Sequence, residues 1–203
     1  NDDAGPPVFS SATAFNAAEN QTAAGTLAAS GTGVQYSLIG GADQGLFNLD
    51  ANTGALTFKV APNFEAPSDA GANGVYDVQV RATAGGATTD QTLTVTLTNV
   101  NEAITVAGGD TVAQGVNENS TAVLTAAATD IDAGDTVTWS IGGGADGALF
   151  QIDSSGNLSF KTAPNFESPT DSDRNNVYTV VIQATDSGGL SDTQQVNVTV
   201  ANV

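Results

Sequence analysis

The chain has 203 residues, with 22 Asp+Glu against 4 Lys+Arg, no His, no Cys and no Met, for a formal charge of -18. That balance excludes nucleic-acid binding, which neutralises phosphates with clustered Lys and Arg. It also excludes disulfides, His or Cys metal sites and His or Cys nucleophiles. No apolar run is long enough to span a membrane. The missing initiator Met predicts a piece of a longer chain.

Abundant Gly and Thr with scarce helix formers predict an all-β protein. In chain order, strands are expected near 25–30, 34–39, 46–49 and 55–60. Tyr76, Val78, Val80 and Ala82 then alternate with Asp77, Gln79, Arg81 and Thr83, and Leu93, Val95 and Leu97 alternate with Thr residues. This is the period of half-buried antiparallel strands. The series starts again near 122–128, 136–141, 149–152 and 157–162. It ends in Tyr178, Val180, Ile182 and Ala184 and in Val196, Val198 and Val200.

The second series is a copy of the first. Gly41-Ala-Asp-Gln-Gly-Leu-Phe-Asn-Leu-Asp50 returns as Gly144-Ala-Asp-Gly-Ala-Leu-Phe-Gln-Ile-Asp153, and Lys59-Val-Ala-Pro-Asn-Phe-Glu65 as Lys161-Thr-Ala-Pro-Asn-Phe-Glu167. A period of roughly 100 residues exceeds the 20–50 of a solenoid unit and suits whole domains. The expectation is two tandem Greek-key β-sandwich domains arranged end to end, 1–100 and 101–203, joined at 99–103 without a Gly/Ser linker.

The acids are placed selectively. The only Glu residues are Glu19, Glu65, Glu102, Glu118 and Glu167. Glu65 and Glu167 share one repeat slot, Glu19 and Glu118 another, and Glu102 lies in the joint. Solubilising loop acids are the plain alternative, but that reading gives no reason for repeated slots. The second repeat adds Asp130, Asp132 and Asp186 where the first has Ala28-Ala-Ser-Gly-Thr32 and Ala84. These losses occur together in the first repeat, which points to one shared purpose.

With Glu19-Asn20 and Glu118-Asn119, the Tyr36-Ser-Leu and Trp139-Ser-Ile turns, Asn63-Phe-Glu65 and Asn165-Phe-Glu167, Asp130-x-Asp132, Ala184-Thr-Asp186 and Asn99-Val-Asn-Glu-Ala103, the chain resembles the cadherin-like repeats of large bacterial surface proteins. The resemblance spans both halves. It implies two or three Ca2+ ions at the joint between repeats, with Glu19, Glu65, Asn99, Asn101, Glu102, Asp130, Asp132 and Asp186 as ligands. The chemistry agrees, because calcium takes six to eight oxygens from carboxylates and carbonyls. Animal cadherins carry Asp at the positions of Asn63, Asn99 and Glu102 and Pro at that of Ile104, so fewer charges and weaker binding are expected. A joint preceding the first repeat should bind calcium poorly, although Asn1-Asp-Asp-Ala-Gly-Pro-Pro-Val-Phe9 looks like the end of such a linker. Glu118 and Glu167, with Asn202, form a second lower half-site.

Other signals are weaker. Asp171, Asp173 and Asn175 begin like a calcium loop, but Asn176 stands where an EF-hand needs Gly and Ile182 where it needs Glu. A polar turn is the competing reading. Asp130-Ile-Asp-Ala-Gly-Asp135 fails the same template at Ile141. Gly142-x-Gly144-x-x-Gly147 matches a dinucleotide fingerprint without the following helix and reads as a turn. Trp139, Tyr36, Tyr76 and Tyr178 are expected in the core.

The resulting functional expectation is a calcium-stiffened spacer at the cell surface, outside the cell, flanked by neighbouring repeats of the same longer chain and not embedded in the membrane. The alternative is direct recognition of carbohydrate or of a cell-surface partner, or calcium-dependent homophilic adhesion. Enzymatic work by paired carboxylates is disfavoured, because the acids belong to a joint and lack an aromatic sugar platform.

Overall fold

The computed structural model describes residues 5–203, so most of the linker-like stretch beginning at Asn1 lies outside the described residues. The chain divides into two compact units, Asn1–Val100 and Asn101–Val203.

Unit 1 contains β1 (Ala14–Ala18), β2 (Ala23–Thr26), β3 (Gln35–Gly40), β4 (Phe47–Leu49), β5 (Ala55–Phe58), β6 (Val75–Ala84) and β7 (Ala87–Thr98). They form two sheets, ordered β1-β7-β6-β3 and β2-β5-β4, which is a Greek-key sandwich. The alternating segment around Tyr76 is β6, and its inward residues Tyr76, Val78, Val80 and Ala82 are fully buried. Phe47 and Phe58 come from the facing sheet, and both meet the Tyr76 ring edge-on, at 5.9 and 5.1 Å. Such edge-to-face pairs use the positive rim of one ring against the negative face of another.

Unit 2 contains β8 (Thr105–Val106), β9 (Thr111–Asn117), β10 (Ala122–Thr125), β11 (Ala128–Thr129), β12 (Thr138–Gly143), β13 (Phe150–Ile152), β14 (Asn157–Phe160), β15 (Val177–Thr185) and β16 (Ser191–Ala201). Its sheets are β12-β15-β16-β9 and β10-β14-β13, with a short β11-β8 pair. Phe150, Phe160 and Tyr178 repeat the aromatic triad. Trp139, expected in the core, is only half-buried. It leans on both the main core and a small cluster of Ile104, Val106 and Ala184.

One expectation needs correcting. The pairing is not wholly antiparallel: β1 runs parallel to β7, with Ala14 opposite Thr94, and β9 runs parallel to β16 over Gln195–Ala201. These two strands were not foreseen. Ala-Phe-Asn-Ala-Ala is a poor strand by composition, and it holds its place by filling the backbone bonds of β7.

The units differ at one hairpin. β6 turns into β7 through Gly85 and Gly86, with φ of 55° and 85°. Two consecutive left-handed residues make the turn that matches strand twist, and Gly adopts them without steric cost. In unit 2 the same connection is the longer loop 186–190. There Asp186 Oδ1 accepts the Leu190 N–H at 2.8 Å, and the Asp186 N–H donates to the Leu190 carbonyl at 2.9 Å.

Candidate metal centre

Glu19 follows β1 and is buried, with 2% of its surface exposed. Its Oε2 accepts the Phe64 N–H at 2.8 Å and its Oε1 the Val100 N–H at 2.9 Å. One carboxylate therefore clamps the Asn-Phe-Glu loop to the end of unit 1. Asn63 shapes that loop by accepting the Glu65 and Ala66 N–H groups at 2.7 and 3.0 Å. As a result, a carboxylate oxygen of Glu65 lies within 4.8 Å of one of Glu19. Asn99 is exposed beside the clamped Val100.

Unit 2 repeats the clamp. Glu118 Oε2 accepts the Phe166 N–H at 3.0 Å and Oε1 the Val203 N–H at 3.2 Å. Asn202 Nδ2 donates to Glu167 Oε1 at 2.9 Å. Asn20 and Asn119 make the turns possible. Both adopt left-handed φ, near 61° and 64°, which Asn tolerates better than other non-glycine residues.

The other end of unit 2 gathers more charge. Asp132 is buried, and its Oδ2 accepts the Glu102 N–H at 2.8 Å. Its own N–H donates to Asp130 Oδ1 at 3.0 Å. Asp186, also buried, accepts from Asn101 Nδ2 at 3.1 Å. Gly188 lets Asn101 approach, because a Cβ there would collide with the Asn101 amide. Asp130, Asp132 and Asp135 each place a carboxylate oxygen within 4.8 Å of the others. Asp130 Oδ2 and Asp135 Oδ2 are buried and have no hydrogen-bond partner.

Asp135 is the residue that sequence reasoning missed. Its signal was the Asp130-x-Asp132-x-x-Asp135 spacing, considered only against an EF-hand template. It is fixed by the Ser187 hydroxyl, which donates to its Oδ1 at 2.6 Å. That bond ties the Asp130–Asp135 loop to the loop carrying Asp186.

Asp171, Asp173 and Asn175 form a hydrogen-bonded turn. Buried Asp171 accepts the Asn175 N–H at 2.7 Å and the Asn176 N–H at 3.3 Å, and Asp173 Oδ2 accepts Asn175 Nδ2 at 2.8 Å. Unit 1 builds the same cap with Asp69, on the N–H groups of Asn73 and Gly74. Burial pushes both carboxyls up, but the N–H groups they accept outweigh it, and both stay below the usual Asp value. Two further buried acids act as struts. Asp43 accepts the Ala70 and Asp77 N–H groups, and Asp146 those of Ser172 and Thr179.

Each unit also has an apolar groove beside its Lys-x-Ala-Pro-Asn loop, about 390 Å³ in unit 1 and 460 Å³ in unit 2. The lysine closes the loop, Lys59 Nζ donating to Gly45 O at 2.6 Å and Lys161 Nζ to Ala148 O at 2.8 Å. No carboxylate lines either groove.

Residues 101–199 match the family model described as Bacterial Ig domain. Human protocadherin-24 EC1-2 superimposes with a TM-score of 0.69 at 17% identity, covering 98% of this chain and 100% of that one. Drosophila N-cadherin EC1-4 superimposes with a TM-score of 0.67 at 24% identity over 98% of this chain, which spans 50% of that structure. Protocadherin gamma B2, domains 3-6, gives 0.61 at 17% identity, with coverage of 98% and 52%. At these identities the likeness is one of fold. No curated protein matches the sequence. Among the described residues, no helix is long and apolar enough to cross a membrane.

Proposed function

We propose that the chain, whose two tandem units fold like cadherin repeats, is a calcium-binding, calcium-stiffened adhesion-type module working outside the cell as a spacer between neighbouring repeats. The observation that carries this reading is the Asp130–Asp132–Asp135 group, in which two buried carboxylate oxygens have no hydrogen-bond donor. Buried acids without compensation repel one another and are costly. A divalent cation supplies that compensation. The donors are carboxylates with amides and carbonyls nearby, which suits a hard cation such as calcium.

In this reading Asp130, Asp132, Asp135 and Asp186 hold calcium in unit 2, and Glu19 and Glu65 contribute from unit 1. The linker residues Asn99, Asn101 and Glu102 take part as ligands, so bound ions restrict the linker torsions and extend the chain. Glu118 and Glu167 form the matching lower set of unit 2. Asp171, Asp173 and Asn175 are left out, because among the described residues they join no group of three acids that could hold an ion, and unit 1 builds the same cap with Asp69 alone. The calcium-binding carboxylates act by fixing the backbone and carry no catalytic role.

Calcium titration with thermal unfolding tests the reading. At a free concentration 100 times Kd, linkage stabilises a site by about 2.7 kcal/mol. Calcium should raise the melting temperature, EGTA should reverse the rise, and Asp132→Ala should remove most of it. A chain whose unfolding ignores calcium and EGTA alike rules the reading out.

A further inference from the structure

The two repeats close the loop before their long hairpin with the same cap, but they use different residues at its end. Unit 1 reads Asp69-Ala-Gly-Ala-Asn73-Gly74, and unit 2 reads Asp171-Ser-Asp-Arg-Asn175-Asn176. Asn73-Gly74 is the only Asn-Gly pair in the chain. Asn73 is exposed, and its Oδ1 accepts the Val75 N–H at 2.9 Å. That bond turns the Asn73 side-chain amide back along the main chain toward the residues that follow it. The Gly74 N–H itself points at Asp69 Oδ1, 2.9 Å away.

We propose that Asn73 is a site of spontaneous covalent modification, converting to aspartate and isoaspartate through attack by the Gly74 backbone nitrogen. The Gly74 nitrogen gives up its proton and bonds to the Asn73 Cγ. The Cγ–Nδ2 bond breaks, and the nitrogen leaves as ammonia after taking up a proton. Water then opens the five-membered imide at either carbonyl. Nothing is oxidised or reduced, and water is the only co-reactant.

The fold supplies three parts of this reaction. The Val75 N–H polarises the carbonyl that is attacked, in the manner of an oxyanion-hole donor. Asp69 is an acceptor within hydrogen-bond reach of the proton that must leave. Gly74 presents no side chain against the approach. Burial pushes the Asp69 carboxyl up, but the N–H groups of Asn73 and Gly74 more than offset this and keep it ionised at neutral pH. In unit 2 the Val177 N–H polarises Asn175 in the same way, at 2.6 Å. The attacking nitrogen there belongs to Asn176, which carries a side chain, bonded to the Phe166 carbonyl, where unit 1 has glycine. The molecule thus contains its own control. The product places a new carboxylate beside Asp69 in unit 1 alone, and isoaspartate adds a backbone methylene to that loop.

The test is peptide mapping by mass spectrometry, with isoaspartate detection, on the full chain held native at mildly alkaline pH. Conversion at Asn73 with release of ammonia, and none at Asn175, is the expected result. Gly74→Asn should abolish it without unfolding unit 1. A Cβ at that position meets only Leu97 Cβ at 3.7 Å, and Asn176 already adopts a left-handed φ of 67° close to the 72° of Gly74. Asn176→Gly should confer the reaction on Asn175. Conversion of Asn73 only in the urea-unfolded chain, or equal conversion at Asn73 and Asn175, overturns the proposal.

Discussion

The hairpins β6–β7 and β15–β16 occupy the same place in two copies of one fold, and they are finished in opposite ways. Unit 1 closes with two glycines in the tightest turn strand twist allows. Unit 2 spends five residues, 186–190, on the same reversal and uses Asp186 to hold them. That longer loop brings Ser187 to Asp135 and Asp186 to Asn101. Unit 1, with Ala84-Gly85-Gly86 and Ala28-Ala-Ser-Gly-Thr32, keeps the sandwich and drops the acids. The sandwich therefore does not depend on the acidic loops, and the loops can be gained or lost on an unchanged core.

The largest effects should fall on what the units share. Phe58→Ala and Phe160→Ala each remove a ring from the same aromatic triad, and each should cost about 3–5 kcal/mol in denaturant unfolding. Unequal losses would show that the cores are not equivalent. Next come the strut acids. Asp43→Ala or Asp146→Ala leaves two backbone N–H groups without their acceptor and should cost about 1–3 kcal/mol.

The hairpins should separate under calcium. Amide exchange should slow at 130–136 and 186–190 when calcium is added, while 28–32 and 84–87 keep their rates. Asp186→Ala should remove the difference.

Acid should affect both units alike. The caps Asp69 and Asp171 have carboxyls held below the ordinary value of 3.8. A depressed folded-state value means that their contribution is complete above that pH and lost as pH falls through the folded value. Unfolding followed below pH 4 should show the loss, and Asp69→Asn should flatten it in unit 1. The smallest effect belongs to Arg81 and Asp90, an exposed pair at 2.7 Å found only in unit 1. Arg81→Ala should change stability least of these substitutions, and less still in high salt, because solvent screens the pair.

The long strands were readable because their burial is strictly alternate. Tyr76 to Ala82 and Val196 to Val200 place every second residue in the core, and a period of two survives in any context. β1 and β9 were not readable. Their partners lie some 80 residues along the chain, and nothing in Ala-Phe-Asn-Ala-Ala announces a parallel neighbour. The acids show the same division. Asp130, Asp132 and Asp186 stood out because the first repeat lacks them. Asp135 did not, since its place is set by Ser187 from a distant loop. Asp43 and Asp146 sat in repeated turn motifs and Asp171 in a calcium-loop-like run, and none of these patterns shows that the three are buried and hold backbone N–H groups.

The parallel pairing of β1 with β7 and of β9 with β16 bears on how each unit carries load. In each case a strand near the start of the unit lies alongside the strand at its end, pointing the same way. A pull on the two ends of a unit therefore slides these strands past one another along their length. The evenly spaced bonds of a parallel ladder then share the force and must fail together, instead of opening one at a time from an end. Unit 2 has the longer ladder, Gln195–Ala201 against Thr111–Asn117, and unit 1 the shorter, Ala14–Ala18 against Thr94–Thr98. Under tension unit 1 is the part that should yield first, which makes it the mechanical fuse of the pair.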